Sequence, residues 1–196
     1  MFELIYPVEP AAVLPRPTVE NPGAGKTAGS EMLPVVEENG LVVGQAPRKT
    51  VHGDLKYLHP VVHLHIINRE SRLYLQKRST KKDLLPGRWD TAVGGHVDYG
   101  ERLEDALYRE TVEELGLRNF NPVLLNTYLW TSEIERELVN VFATVGDFDL
   151  HPSNDEVEEG RWWSMEEISG TLGKDVFTPN FEQEFLSVRD TLLALL

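Results

Sequence analysis

Apolar residues recur most regularly in one stretch near the middle of the chain. From Leu103 to Leu115 a leucine or threonine occupies every fourth place, which is the spacing of one face of an α-helix. Gly116 follows the last of these places, and glycine commonly ends a helix because it adopts the left-handed conformation at little cost. The pattern predicts an amphipathic helix that begins near Glu101, packs on a sheet and ends at Gly116.

Shorter apolar runs on both sides of this helix predict strands. The first pair is a hairpin over residues 33–45, in which Asn39-Gly40 supplies a turn with positive φ. The other predicted strands cover residues 60–67, 73–76, 89–93, 122–130, 137–145 and 156–163. Alternation in the first of these places His63 and His65 on one face.

Two helix starts follow the last predicted strand. Ser164 and Glu167 form a capping box, and Thr178-Pro179 has the residues of a second helix start, so helices are predicted within residues 164–196. Strands on both sides of one helix, followed by further helices, indicate an α+β fold. We expect an α/β/α sandwich, in which helices flank a mixed β-sheet.

The composition predicts one soluble domain of ordinary size. Of 196 residues, 41% are hydrophobic and 26% are charged, and no apolar run approaches the roughly 18 residues that span a bilayer. Residues 1–30 are rich in proline and glycine, which predicts an extended arm that could pack across a partner. The domain then covers residues 31–196, as a monomer or a homodimer.

Cysteine content and charge narrow the class of function. The chain has no cysteine, which excludes disulfides, a thiolate zinc site and a catalytic thiol, and predicts a cytoplasmic protein. The first residues lack the basic region and apolar run of a signal peptide. A net charge of −13 argues against binding to nucleic acid or to a membrane surface. It suits a metal site that brings an anionic phosphate to the protein.

Three glutamates on the predicted central helix are the first candidates for chemistry. Glu110, Glu113 and Glu114 stand at i, i+3 and i+4, so their side chains gather within one turn. On an exposed helix they repel each other by about 0.2–0.5 kcal/mol per pair. One interpretation is a solvated acidic face on an acidic protein. The other is a site for a hard cation such as Mg²⁺ or Mn²⁺, which prefers oxygen ligands.

The residues around these glutamates follow the pattern G-x5-E-x7-R-E-U-x-E-E-x-G-U, in which U is a bulky aliphatic residue. The fixed positions are Gly95, Glu101, Arg109, Glu110, Glu113, Glu114 and Gly116. This stretch, residues 95–117, resembles the Nudix box. Thr111 departs from the pattern at the first U. Because Thr111 lies on the packing stripe of the helix, we expect the change to affect core burial rather than chemistry.

The resemblance to Nudix hydrolases implies a Nudix-type mixed sheet flanked by helices and a reaction in which water attacks a diphosphate-linked small molecule. It implies that the three glutamates bind Mg²⁺ or Mn²⁺, that Gly95 offers its backbone to the metal or the substrate, and that Glu101 is an outer-shell or occasional ligand. Arg109 is expected to orient a carboxylate of the box. The general base stays open, and its candidates are Glu113, Glu114, Glu156 and Glu158. For the last two, the alternative is a solvated acidic turn.

A second set of polar residues lies largely outside the box. It comprises His52, His59, His96, Glu135 and Glu137, with the basic Arg78 and Lys82 between them. The set is similar to isopentenyl-diphosphate isomerases, a branch of the same superfamily. This resemblance implies that the three histidines and two glutamates hold a second divalent metal such as Zn²⁺. It also implies that Arg78 and Lys82 bind the diphosphate, and that Glu114 bridges another metal to the diphosphate. Taken singly, each histidine also fits an ordinary structural role, and the basic cluster also fits a solvated loop.

Two adjacent tryptophans near the end of the chain are candidates for packing or binding. Trp162 and Trp163 alternate across the last predicted strand, so they face opposite sides of the sheet. We expect one of them in the core, and Trp162 to line the substrate pocket or stack on a base.

The chain departs from the isomerase pattern at Gly94. The isomerases carry a cysteine at this place, two residues before the loop histidine, and use it for proton transfer. The box is also intact here, so the sequence favours a hydrolase over an isomerase in which Glu137 is the remaining proton-transfer group. A non-catalytic nucleotide-binding regulator would predict lost box glutamates or a fused DNA-binding domain, and the sequence shows neither. The group attached to the diphosphate is not predicted.

Overall fold

The computed structural model describes residues 31–81, 84–152 and 157–196. The predicted arm over 1–30, the substrate-binding candidate Lys82 and the candidate base Glu156 lie outside the described residues. No helix within these ranges is long and apolar enough to cross a membrane.

Thirteen elements occur in the described part of the chain. The strands are β1 Met32–Val36, β2 Val42–Pro47, β3 Leu58–Ile67, β4 Arg72–Arg78, β5 Trp89–Asp90, β6 Val93–His96, β7 Val123–Thr131, β8 Arg136–Val145 and β9 Val157–Ser164. The helices are α1 Arg48–Val51, α2 Leu103–Leu115, α3 Met165–Thr171 and α4 Pro179–Leu193.

The strands form a two-stranded sheet, β1-β2, and a seven-stranded mixed sheet. The larger sheet runs β5-β4-β3-β8-β7, with β6 paired to β3 and β9 paired to β4. β3 and β8 are parallel over ten residues at its centre, and the other pairs are antiparallel. Their register places His59 opposite Glu137, so two of the predicted ligands meet at one end of the central strands.

Helices cover both faces of the large sheet, which confirms the predicted α/β/α sandwich. On one face, Leu107 and other apolar residues of α2 pack with Leu64 of β3. On the opposite face, Phe181 of α4 and Ile168 of α3 pack with Val61 of β3. All ten residues of β3 are buried because both of its faces are covered.

The central helix α2 has the predicted stripe and the predicted end. Leu107, Thr111 and Leu115 are buried, and the Thr111 hydroxyl donates to the Leu107 carbonyl at 2.7 Å. Gly116 closes the helix in the left-handed conformation, with φ of 67°. The helix begins at Leu103, two residues later than predicted, because the backbone is still extended at Arg102.

One short helix was not predicted. α1 is a single turn that follows β2, and its Val51 is fully buried in a small cluster with Leu33. It lacks the length for a periodic pattern, yet it places His52 at its C-terminal end.

Candidate active site

Arg109 on α2 gathers the acidic groups of the box. Its Nε and Nη2 donate to the two oxygens of Glu101, each at 2.8 Å. Its Nη1 donates to Glu110 Oε1 at 2.6 Å and lies 3.5 Å from Glu113 Oε2, while Nη2 also donates to the backbone carbonyl of His96 at 2.9 Å. One guanidinium therefore offsets the repulsion between these carboxylates and restrains their positions.

Gly95 makes room for Glu110. A Cβ at position 95 would overlap the carboxyl carbon of Glu110, so only glycine allows the two to approach as they do. Burial raises the pKa of Glu110 to about 7, against the opposing effect of the Arg109 guanidinium. A buried carboxylate of this kind is stabilised by a nearby cation, which fits a metal site.

Gln76 fixes the third glutamate of the box and was missed by sequence reasoning. It is buried on β4, and its Nε2 donates to Glu114 Oε2 at 2.9 Å and to the Ala92 carbonyl. A single glutamine inside an apolar strand belongs to no motif, so nothing in the sequence separates it from an ordinary core polar residue.

The three predicted histidines converge, although they come from three elements. His52 follows α1, His59 lies on β3 and His96 ends β6. The Nε2 atoms of His52 and His96 lie 2.9 Å apart, and the ring centroids of His59 lie 5.5 Å from each of the other two. One nitrogen from each ring falls within 4.8 Å of the others.

The two predicted carboxylates join the same cluster from the start of β8. Glu135 Oε2 lies 3.4 Å from His52 Nε2, and Glu137 Oε1 lies 4.0 Å from His59 Nε2. His59, Glu135 and Glu137 also offer ligand atoms within 4.8 Å of one another. The structure therefore brings all five predicted residues together around His59.

The chemistry of this histidine–glutamate cluster fits a divalent metal. His59 is fully buried, and neither of its ring nitrogens has a hydrogen-bond partner within the described ranges. Burial lowers the pKa of His59 to about 3 and that of His96 well below 6.5, so both rings are neutral and have a lone pair to offer. An unsatisfied buried polar group costs about 1–3 kcal/mol, which a bound cation would offset. Imidazole together with carboxylate suits zinc or another transition metal.

Glu31 and Arg48 border the cluster and were also missed by sequence reasoning. Glu31 Oε1 lies 3.7 Å from His96 Nδ1, and its other oxygen accepts from Arg48 Nη1 at 2.9 Å. A carboxylate beside the second nitrogen of an imidazole fixes the orientation and tautomer of the ring. The signal was absent because Glu31 follows an aperiodic stretch and Arg48 lies on the unpredicted α1.

Strand β6 links the two clusters. Its Gly95 faces Glu110, and the side chain of the next residue, His96, joins the histidine–glutamate cluster. The His96 carbonyl meanwhile accepts from Arg109. Successive residues of one strand thus serve opposite faces of the sheet.

The remaining candidates make structural contacts. Arg78 donates from Nε and Nη2 to the Leu84 carbonyl, and its Nη1 lies 3.5 Å from Asp90 Oδ2. The Trp162 ring stands edge-on to Tyr74 with centroids 5.4 Å apart, beside the core under α2. Exposed Glu158 lies 3.8 Å from Lys77. Binding roles for Arg78 and Trp162, and a catalytic role for Glu158, stay predictions.

Trp89 and Trp163 form part of the core. Both are buried, and their rings meet edge to face with centroids 5.1 Å apart. Trp163 therefore fills the core role expected of one of the two adjacent tryptophans.

Comparisons with known proteins give a family match and relatives that carry different names. Residues 57–181 match the family model described as the NUDIX domain. An uncharacterised Nudix hydrolase of Nostoc is 38% identical over 146 residues, which cover 74% of this chain and 86% of that protein. A protein of Corynebacterium efficiens named isopentenyl-diphosphate Delta-isomerase is 32% identical over 168 residues, covering 78% and 87%. The crystal structure of a Deinococcus radiodurans protein aligns with a TM-score of 0.68 at 24% identity, over 79% of this chain and 96% of that one, which bears on the fold alone.

Proposed function

The chain belongs to the NUDIX domain family, and from that membership we propose that it is a metal-dependent hydrolase that cleaves a diphosphate linkage by attack of water. The observation that carries the proposal is that Arg109 contacts Glu101, Glu110 and Glu113, while Gln76 holds Glu114 and Gly95 leaves space for Glu110. A structural acidic face has no need of a buried carboxylate held in this way. The substrate is a nucleoside diphosphate or a related organic diphosphate.

Each residue of the box has a role in this reaction. Glu110, Glu113 and Glu114 would hold Mg²⁺ or Mn²⁺, which when bound neutralises phosphate charge and lowers the pKa of a bound water. Arg109 keeps Glu110 and Glu113 in position, and Glu101 in turn restrains Arg109 through its own salt bridge. The glutamates of the box are also candidates for the general base, because they belong to the same site.

The substrate is expected to extend beyond the box. Arg78 and Lys82 would bind the diphosphate, since both are cations. Arg78 is the last residue of β4, and Lys82 follows it in the sequence. Trp162 would contact the attached group. Glu158 and Glu156 stay alternative candidates for the base.

The test is a hydrolysis screen of the full chain against nucleotides, nucleotide sugars, dinucleotides and isoprenyl diphosphates, with Mg²⁺ and Mn²⁺ compared. We expect phosphate or monophosphate release from at least one compound, and a loss of about 100-fold or more in kcat for Glu113→Gln and Glu114→Gln. The exposed Glu166→Gln on α3 serves as the matched control and should keep wild-type activity. Absence of release from every compound, or full activity in both box variants, would contradict the proposal.

A second candidate function is the double-bond isomerisation of an alkenyl diphosphate, such as isopentenyl diphosphate. The histidine–glutamate cluster favours it, because a hydrolase built on the box alone does not require a second metal site. The name of the relative that is 32% identical also supports it. In this reaction the cluster would hold a second divalent ion such as Zn²⁺, and Glu137 would be the base.

Metal analysis tests the cluster. We expect purified wild-type protein to contain a transition metal that is lost when His52, His59 and His96 are all replaced by alanine. His151→Ala is the control, because this histidine is exposed and pairs only with Asp149 within the described residues. Equal metal content in the triple variant and the wild type would leave the histidines with a structural role.

A further inference from the structure

A buried polar network lies beside the histidine–glutamate cluster, and neither proposed function uses it. Its centre is Glu184 of α4, whose side chain has no exposed surface. Glu184 accepts from His63 Nδ1 at 2.8 Å and from His65 Nε2 at 2.7 Å, and the Tyr128 hydroxyl lies 2.7 Å from its Oε2. The same hydroxyl lies 2.5 Å from Asn180 Oδ1.

His63 is the histidine of this network that keeps a small exposed surface. Its side chain is 11% exposed, whereas those of Glu184 and His65 are completely buried. Its Nδ1 is bonded to Glu184, so its Nε2 lies on the opposite edge of the ring. Nε2 has no hydrogen-bond partner within the described ranges, so it is free to donate to a bound molecule.

Gly94 leaves that edge of the His63 ring uncovered. His63 and Gly94 are paired across β3 and β6. A Cβ on Gly94 would lie 3.5 Å from His63 Cδ2 and 3.7 Å from Nε2, in ordinary van der Waals contact. Gly94 itself is exposed, and it places no side chain against Nε2. The position at which the sequence lacks the thiol of the isomerases is therefore bordered by an imidazole from the neighbouring strand.

The surroundings of His63 keep a proton on it. Burial alone would lower the pKa of His63, but the Glu184 carboxylate, with smaller effects from Asp90 and Glu137, raises it to about 9. The pKa of Glu184 is in turn held below its usual range by His63 and His65, although burial opposes this. Tyr128 also faces Glu184, and burial raises the pKa of its hydroxyl, so it stays neutral. At neutral pH the ring thus carries a proton on both nitrogens.

We propose that His63, positioned by Glu184, is the proton donor for the double-bond shift of an alkenyl diphosphate. The proposal rests on the second candidate function. Geometry carries it: one ring nitrogen is anchored in the core, and the other lies beside the exposed Gly94, two residues along β6 from His96.

The step balances without an oxidant or a reductant. The Nε2–H bond of His63 breaks, and the π electrons of the terminal double bond form a C–H bond at the terminal carbon. A C–H bond at the carbon next to the diphosphate-bearing end of the chain breaks, and its electron pair forms the internal double bond. That proton passes to the base already assigned to this reaction. Solvent then returns one proton to His63 and removes one from the base.

The test follows deuterium from D₂O into isopentenyl diphosphate, by NMR, with the full chain and its metals. We expect wild-type protein to incorporate deuterium at the terminal carbon. His63→Gln should do so at least about 100-fold more slowly, which is the usual contribution of a general acid. Gly94→Ala should slow exchange about 10-fold with the fold intact, because the new methyl group covers Nε2 without a clash. His151→Gln, an exposed histidine, should exchange at the wild-type rate.

A pH profile separates proton donation from packing. Exchange by the wild type should fall as pH rises through the raised pKa of His63, about 9. Glu184→Gln should move this alkaline limb to lower pH, since the amide no longer stabilises the charged ring. A merely structural role for Glu184 would lower the rate without moving the limb.

The outcomes decide the inference separately from the hydrolase proposal. No exchange by the wild type, or wild-type exchange in folded His63→Gln or in Gly94→Ala, would overturn it. If His63→Gln does not fold, the Gly94→Ala result decides. The same wild-type preparation is assayed for hydrolysis. Hydrolysis without exchange overturns the isomerisation and with it the proton-donor role of His63, and exchange without hydrolysis overturns the hydrolase function alone. Wild-type exchange in folded His63→Gln overturns the proton-donor role and leaves the isomerisation standing.

Discussion

At the scale of single residues, Gly95 shows how one missing side chain positions another. Gly95→Ala would place its Cβ on the carboxyl carbon of Glu110, so either Glu110 or the strand must move. A displacement of about 1 Å in an active site can lower the rate about 100-fold, and we expect a fall in kcat of that order in the hydrolysis assay.

Gly44→Ala is the matched control for this change. Nothing lies within 4 Å of a Cβ at position 44, so the variant should keep its activity. Wild-type kcat in folded Gly95→Ala would mean that the contact with Glu110 has no part in catalysis.

Residues of the site could be predicted from the sequence when the residues that they act with lie close by in the chain. Glu110, Glu113 and Glu114 lie within one helical turn, so their spacing alone predicted the cluster. Gln76 and Glu184 act through contacts with residues that are distant along the chain, 38 and 121 positions for their bonds to Glu114 and His63. Periodicity carries no information on such pairings, and a lone buried polar residue has no signature of its partner.

At the scale of elements, two glycine-to-alanine changes, one at the end of α2 and one inside α3, should change the free energy of unfolding in opposite directions. Gly116 adopts φ of 67°, a conformation that destabilises an L-residue by about 1–2 kcal/mol, so Gly116→Ala should lower the free energy of unfolding by about 1 kcal/mol. Gly170, inside α3, has ordinary helical surroundings with nothing within 4 Å of a Cβ. Gly170→Ala should therefore raise the free energy by about 0.5–1 kcal/mol.

Urea unfolding followed by circular dichroism measures both changes. A loss of stability in Gly170→Ala as large as that in Gly116→Ala would show that the left-handed conformation is not the cause.

Elements with a strong local signal were the ones that sequence predicted well. The capping box at Ser164 and the cap at Thr178 both form, with Ser164 accepting from Glu167 and Thr178 from Phe181. α1 was missed because one turn contains too few residues for a period. Its existence follows from the burial of Val51, which is a tertiary effect.

At the scale of the whole molecule, the network around Glu184 links stability to pH. The lowered pKa of Glu184 adds stability above its unfolded value of 4.5, and this is lost as pH falls. The pKa of His63, raised to about 9, adds stability that is complete below 6.5 and is lost as pH rises to about 9. The pair therefore contributes most between pH 4.5 and 6.5.

Glu184→Gln tests this link. Breaking a buried charged pair costs about 3–5 kcal/mol, so the variant should be less stable by that amount near pH 5.5 and by less near pH 9.5. Urea unfolding at both pH values gives the difference, with exposed Glu166→Gln as the control. A difference that grows with rising pH would contradict the assigned charge states.

The parallel pairing of β3 with β8 also decides when the proposed metal site can exist during folding. The Asn140 side chain bonds the Val61 carbonyl 79 positions away, so the chain must close a long loop before these strands meet. Non-local pairings of this kind belong to slow folding, on a scale of milliseconds to seconds. His59 and Glu137 face each other only after that closure. An ion held there therefore acts after the folding barrier, and its binding should slow unfolding while leaving the folding rate unchanged.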